Sequence, residues 1–236
     1  MPEHLMGRPD MVKARQGGDI SKDSYLAAAL ENLHTTSRTA RGVVDTSASV
    51  DKAGKMAEGL TGQDAAEKAL DNFSAAVEFC YQNKDREFQD SNELRAFIEQ
   101  LAQMINQGLL KAGILLREGA DSAKYPYTRV AELAQAMEQF YQELLERLQD
   151  TQADPQTTAA FVEYRIDLTD HFFADGCGKV AKAVSAWTLM RAKSPLPHYD
   201  SRQQYYAHAP RERSGQDQSV DKQQWEQWLN YYKGLF

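Results

Sequence analysis

Cysteine is nearly missing from this sequence: Cys80 and Cys177 are its two copies, far apart and without CxxC or His/Cys ligand spacing. That excludes a disulfide framework and a structural zinc site, and it suits a reducing compartment. Excess positive charge is missing too. A formal net charge of −7 and a pI near 5.3 leave no overall basic footprint for nucleic acid or an anionic membrane, so neither is expected as a partner. No long apolar run occurs. The longest, "AGILL" with "GLL" before it, falls far short of the roughly 18 residues of a spanning helix. The opening "MPEHLMGRPDMVKARQGG" has no apolar core of a secretory signal. Internal repeats and low-complexity tracts are also lacking. These shortages together predict a soluble, cytoplasmic protein.

What is present is helical patterning. A chain of 236 residues has room for one sizeable core at about 100–200 residues per domain. Residues 1–20 are polar and read as an arm, and 21–57 as an N-terminal helix (Lys22 to about Thr36) followed by a long polar connection. The main domain is expected over 58–236. In "GQDAAEKALDNFSAAVEFCYQ", Ala66, Ala69, Leu70, Phe73, Val77 and Cys80 form one apolar stripe. "SNELRAFIEQLAQMINQGLL" repeats the design behind Ser91 as N-cap, and Val130, Leu133, Met137, Phe140, Leu144 and Leu148 mark a long helix over 128–149. Between them, residues 112–127 break the rhythm with two glycines and Pro126, which predicts a short hairpin. Asp154-Pro155 starts a helix expected to run to Phe173; further helices follow over 179–193 and at the C-terminus. The fold class predicted is all-α.

The chemistry concentrates in "TDHFFADGCGKVAKAV", residues 169–184. A helix N-terminus presents unpaired N–H groups and partial positive charge, and glycines let the backbone before it curl around an anion. Gly176, Cys177 and Gly178 are placed to do this. Lys179 and Lys182, three apart in the first turn, can meet a polyphosphate on one side. Asp175 suits a magnesium ion, and His171 has the ordinary pKa of a general base. The same glycine pair equally suits a helix end and a turn. Spacing alone leaves both readings open, and a covalent role for Cys177 at the helix N-terminus stands as a lesser one.

The stretch "HFFADGCGKVAK" resembles the Fic (Fic/Doc) signature, H-x-F-x-[DE]-G-N-[GK]-R-x-x-R, in His171, Phe173, Asp175, Gly176 and Gly178. "DNFSAAVEFC", "GILLREGADSAKYPY" and "WEQWLNYY" are similar to an early helix, the flap hairpin and the terminal helix of that family. The resemblance implies a Fic-like helical domain with a short β-hairpin flap around a central helix-loop-helix anion-binding motif. It implies transfer of AMP or a related phosphate-containing group, with Mg2+, from ATP or another nucleotide to a Ser, Thr or Tyr hydroxyl of a target protein. His171 would be the base, Phe173 the loop's anchor and Asp175 the metal ligand. Gly176, Cys177, Gly178, Lys179 and Lys182 would hold phosphate, Tyr205 and Tyr206 the base, and Leu116 and Arg117 the target segment.

Three positions depart from the signature. Lys179 and Lys182 replace arginines and lose the planar fork; Cys177 replaces an asparagine amide with a weak donor. "AAALEN" is similar to the family's inhibitory helix and places Glu31 within expected reach of Lys182, while "GKMAEG" offers Glu58 as a second near match. The alternative reading is therefore a catalytically impaired Fic-like module that binds a nucleotide or a protein partner. A homo-oligomer and delivery into a host cell as an effector both stay open.

Overall fold

The computed structural model describes residues 19–37, 57, 62–119, 121, 126–210 and 218–236. Its helices, in chain order, are α1 (Lys22–Thr36), α2 (Gly62–Gln82), α3 (Ser91–Asn106), α4 (Leu133–Gln149), α5 (Pro155–Glu163), α6 (Cys177–Arg191), α7 (Arg202–Ala207) and α8 (Gln218–Lys233). A 3-10 turn (Val130–Glu132) leads into α4, and a π-helical turn (Tyr164–Thr169) follows α5.

Local chemistry starts the helices. Ser21 accepts from the Ser24 N–H at 3.1 Å, and Asp154 accepts from the Gln156 N–H at 3.2 Å with Pro155 in the first helical position. The cap of α3 is Asp90 rather than Ser91. Its carboxylate reaches the N–H groups of Asn92 and Glu93 at 2.8 and 3.0 Å, which adds a favourable charge at the positive end of the helix, and Ser91 becomes the first helical residue.

Helix α6 is the axis of the fold. Every residue from Lys179 to Met190 is buried, so this helix is covered on all sides instead of presenting one apolar stripe. Helices α1, α2, α3 and α5 pack around it, and its small residues Ala181, Ala183, Ser185 and Ala186 admit their close approach. Helix α8 packs on α5, with the Trp228 indole donating to the Ala160 carbonyl at 2.9 Å. At the far end Trp187 is fully buried against Phe88 and Phe97, and its Nε1–H donates to the Asn83 carbonyl at 3.0 Å.

Helix α1 belongs to this same core. Tyr25, Ala28, Ala29 and Leu33 are buried with it; the Tyr25 hydroxyl donates to the Ser194 carbonyl at 3.0 Å, and Asn32 donates to the Pro197 carbonyl at 2.7 Å. The connection after α1 lies almost wholly outside the described residues, as do Glu58 and the arm before Asp19.

One expectation needs revision. The helix predicted to run from Pro155 to Phe173 stops at Glu163; it widens into the π turn and ends before His171, whose φ of 54° is left-handed. In the segment predicted as a hairpin, Leu116 pairs with the central loop in an antiparallel bridge to Phe173. The Arg117 N–H donates to the Phe172 carbonyl and the Ala174 N–H to the Leu115 carbonyl, both at 2.9 Å. Residues 120 and 122–125 of that segment lie outside the described ones.

Replacing Trp187 with alanine is expected to cost about 3–5 kcal/mol of unfolding free energy in a urea melt, through lost contacts and a large cavity. A cost under about 1 kcal/mol would show that the α6 end is loosely packed.

Candidate active site

The site forms where the π turn, the loop 170–176 and the start of α6 meet. The wide turn is visible in its bonds: the Asp170 N–H reaches the Arg165 carbonyl at 2.9 Å, and the Thr169 hydroxyl reaches the Tyr164 carbonyl at 3.0 Å. This turn delivers His171 out of the helical path. The His171 Nδ1 lies 3.2 Å from the Asp167 carbonyl, which can only accept, so Nδ1 carries the proton and Nε2 keeps a lone pair. Tyr127 stacks on the imidazole face, with ring centroids 4.1 Å apart and 10° between planes.

Arg117 holds the backbone on which His171 sits. Its guanidinium donates to the His171 carbonyl at 2.9 Å, the Asp170 carbonyl at 3.1 Å and the Thr128 carbonyl. Asp170 in turn receives Arg165 at 2.5 Å and the Thr128 hydroxyl at 2.6 Å. A left-handed histidine costs about 1–3 kcal/mol, and these bonds offset it. Burial pushes the His171 pKa below its ordinary value of about 6.5, against the raising effect of Asp167 and Asp175; the ring is therefore neutral at pH 7.

Beside the histidine, Gly176 opens α6 in a left-handed conformation (φ 74°), and no side chain caps the helix. A Cβ on Gly176 would lie 2.7 Å from the Asn106 Oδ1, so the position requires glycine twice over. Asn106 donates from Nδ2 to the Asp175 carbonyl at 3.1 Å, and its buried Oδ1 has no partner among the described residues. Lys179 folds over the same glycine. It is 6 % exposed, its Cε comes within 3.3 Å of where that Cβ would be, and among the described residues its ammonium makes no hydrogen bond or ion pair. An uncapped helix N-terminus with a lysine folded over it can receive an anion.

Magnesium fits this loop only in one manner. Asp175 supplies a hard carboxylate, and among the described residues no cluster of three or more His, Cys, Asp or Glu is arranged to hold a metal. A magnesium ion held by one carboxylate and substrate phosphates suits that donor set; an all-protein metal cage does not.

No family model and no curated protein matches the sequence. Among solved structures the chain is similar to IbpAFic2 covalently tethered to Cdc42, with a TM-score of 0.64, 14% identity, and coverage of 95% of this chain and 68% of that one. It is also similar to a Fic domain containing signaling protein from Bacteroides thetaiotaomicron, with a TM-score of 0.61 at 17% identity, covering 91% and 85%. A third likeness is to IbpAFic2 in complex with adenylylated Cdc42, with a TM-score of 0.54 at 14% identity, covering 94% and 72%. The fold is the Fic fold. At such identities the likeness speaks for the fold alone, and the site must be judged on its own residues.

Within the Fic fold, His171, Asp175, Gly176, Gly178 and Lys179 gather at one loop, and several other expected residues turn elsewhere. Lys182 points into the protein, 3.5 Å from the Glu163 carboxylate and 3.8 Å above the Tyr205 ring, so it is not offered to a phosphate. Glu31 does not reach Lys182. It lies 60% exposed near His198, because α1 turns Ala28, Ala29 and Asn32 inward and Glu31 out. Cys177 turns its thiol onto Phe173, within 3.3 Å of both its N–H and its carbonyl, and leaves only backbone for an anion. Burial, with Asp167 nearby, drives its pKa well up and disfavours the thiolate that a covalent role needs.

The tyrosines and the segment before Pro126 make contacts of their own. Tyr205 and Tyr206 both direct hydroxyls at the Asp167 Oδ2, at 3.1 and 3.3 Å, instead of facing a base. Leu116 is paired to Phe173, and the Arg117 side chain donates to carbonyls of the loop. Sequence reasoning missed Glu163, Asp167, Tyr127 and Asn106. For the first two a signal existed: Glu163, Asp167 and His171 follow one another at intervals of four along an apolar segment. Asn106 gave none.

Two outcomes check this geometry. In an NMR titration His171 should protonate below about pH 6.5. Between that lowered value and about 6.5 the unfolded chain binds more protons, so His171 takes stability away as pH falls through this window and nothing above it. A midpoint above 6.5 would contradict the desolvated ring. Second, Cys80 and Cys177, both buried, should resist a thiol reagent until the protein unfolds; rapid labelling of Cys177 in native buffer would place it in the open.

Proposed function

We propose that this chain is a Fic-like transferase that moves AMP or a related phosphate-containing group from a nucleotide to a Ser, Thr or Tyr hydroxyl of a target protein. The observation that carries this reading is His171, with Nδ1 committed to the Asp167 carbonyl, beside an uncapped helix N-terminus and the largely buried Lys179. The likeness to a Fic structure in complex with adenylylated Cdc42 supports it.

In this reaction the target hydroxyl gives its proton to His171 Nε2, and its oxygen forms a bond to phosphorus. The bond from phosphorus to the leaving phosphate breaks, and the electron pair goes to that leaving group. Lys179 and the N–H groups at the start of α6 stabilise the negative charge there. Asp175 would hold magnesium, which neutralises phosphate charge when bound. Tyr127 and Arg117 keep His171 oriented.

A binding module without turnover is the second reading, favoured by Cys177 turned into its own loop and Lys182 paired inside the protein. Labelled nucleotides and candidate target proteins separate the two. His171→Ala should keep nucleotide binding within about threefold and lower transfer by about 10²–10⁴-fold. Transfer unchanged by His171→Ala would reject the catalytic assignment, and binding without transfer by the unaltered protein would select the second reading.

A further inference from the structure

Asp167 meets His171 through its backbone and the rest of the protein through its side chain. The histidine Nδ1 lies 3.2 Å from the Asp167 carbonyl, inside the π turn. The carboxylate is buried, and its Oδ2 accepts the Tyr205 and Tyr206 hydroxyls of α7 at 3.1 and 3.3 Å. Tyr205 also lies 3.0 Å from Glu163, and one hydroxyl has one proton to give. Glu163 is served by the Tyr199 hydroxyl at 2.6 Å and by Lys182 at 3.5 Å, which leaves the Tyr205 proton for Asp167. On another side the carboxylate touches the first turn of α6, where a Cβ on Gly178 would lie 3.0 Å from Oδ2. Glycine at that position lets a negative side chain sit against the positive end of a helix.

These contacts act on His171 in two ways. The tyrosines tether the side chain whose own carbonyl holds the imidazole, so the ring is anchored to α7 through Asp167. The second effect is electrostatic. Burial and the Arg117 charge oppose a proton on His171, while Asp167 and Asp175 favour it. Tyr127 covers one face of the ring, and Arg202 lies 4.4 Å over the Tyr206 ring on the far side of the tether. A carboxylate already in place stabilises an imidazolium more than the neutral ring, so its effect grows as the proton arrives.

From this arrangement we infer that Asp167 is a positioning residue for His171: its carbonyl sets the tautomer, and its tyrosine-tethered carboxylate holds that carbonyl in place and balances the positive charge the ring acquires. The inference rests on the transferase reading for the chemistry it serves. Asp167 takes no proton itself. The target hydroxyl loses its proton to Nε2, Nδ1–H stays on the Asp167 carbonyl, and the charge is shared across that bond.

Nitrogen-15 NMR of the full chain labelled at histidine tests this, with the His171 signals assigned by their loss in His171→Ala. At neutral pH the unaltered protein should show the single tautomer protonated at Nδ1. Tyr205→Phe/Tyr206→Phe, which keeps both rings and removes both tethers, should move the signals toward those of mixed tautomers. Asp167→Asn keeps the carbonyl and the shape but removes the charge. It should keep the tautomer, lower the His171 titration midpoint, and cut the transfer kcat by about tenfold or more with the nucleotide KM within about threefold. A thermal melt checks folding, and Tyr206→Phe alone, at a partly exposed position, replaces the double variant if that one is unfolded. An unchanged tautomer in the tyrosine variants overturns the tether. A midpoint or kcat unmoved by Asp167→Asn overturns the balancing charge. If the unaltered protein transfers nothing, the transferase reading falls, and the tautomer and the midpoint still decide whether Asp167 governs His171.

Discussion

A helix buried on every side has to settle its own polar groups inside the protein, and the rest of this structure follows from how α6 does so. Its apolar residues close the core against α1, α2, α3 and α5. Ser185 and Thr188 are absorbed individually, by the Tyr232 hydroxyl at 2.8 Å and the Val184 carbonyl at 3.0 Å. The charged groups cannot be settled so cheaply. Lys182 is met by Glu163, which draws in Tyr199 and Tyr205 and so fixes the segment 199–206 against α5. Breaking one partner of such a pair costs about 3–5 kcal/mol, so the cluster holds the chain together around the site.

The N-terminus of the same helix is left unsettled. No side chain caps it, Lys179 has no partner among the described residues, and the buried Asn106 Oδ1 has none either. Unpaired polar groups in the interior disfavour folding unless something else is served by them, and the Asn106 Oδ1 lies at the loop that carries the strained backbone of His171. The π turn before the histidine and the Arg117 contacts after it belong to the same arrangement. One lifts the ring out of the helix, and the other keeps its backbone from relaxing. Helix, loop and the segment before Thr128 thus hold one imidazole with a chosen tautomer next to the uncapped start of α6.

The helices were legible because their signals are local. Asp154-Pro155 starts α5, and the apolar stripe from Ala66 to Cys80 marks α2. The histidine and the glycines of the loop were legible as well, since a left-handed Gly176 and a close pass behind Gly178 are backbone needs that sequence displays. Partners were not legible. Glu31 and Glu163 are both acids on helices, and only the rotation of α1 against the core sends one to solvent, while the place of α5 beside α6 gives the other Lys182. Cys177 could have been read as a ligand or a nucleophile until its thiol was found on Phe173.

By itself, then, the sequence determined an all-helical chain with a histidine, an acid and a glycine loop ahead of a helix, because periodicity, caps and glycine conformations depend on near neighbours. Tertiary structure decided which charges that loop keeps. Lys179 and Lys182 are the same residue type one helical turn apart, and no local rule separates them. Burial makes every ammonium seek a carboxylate across the fold, and Glu163 lies within reach of one and not the other.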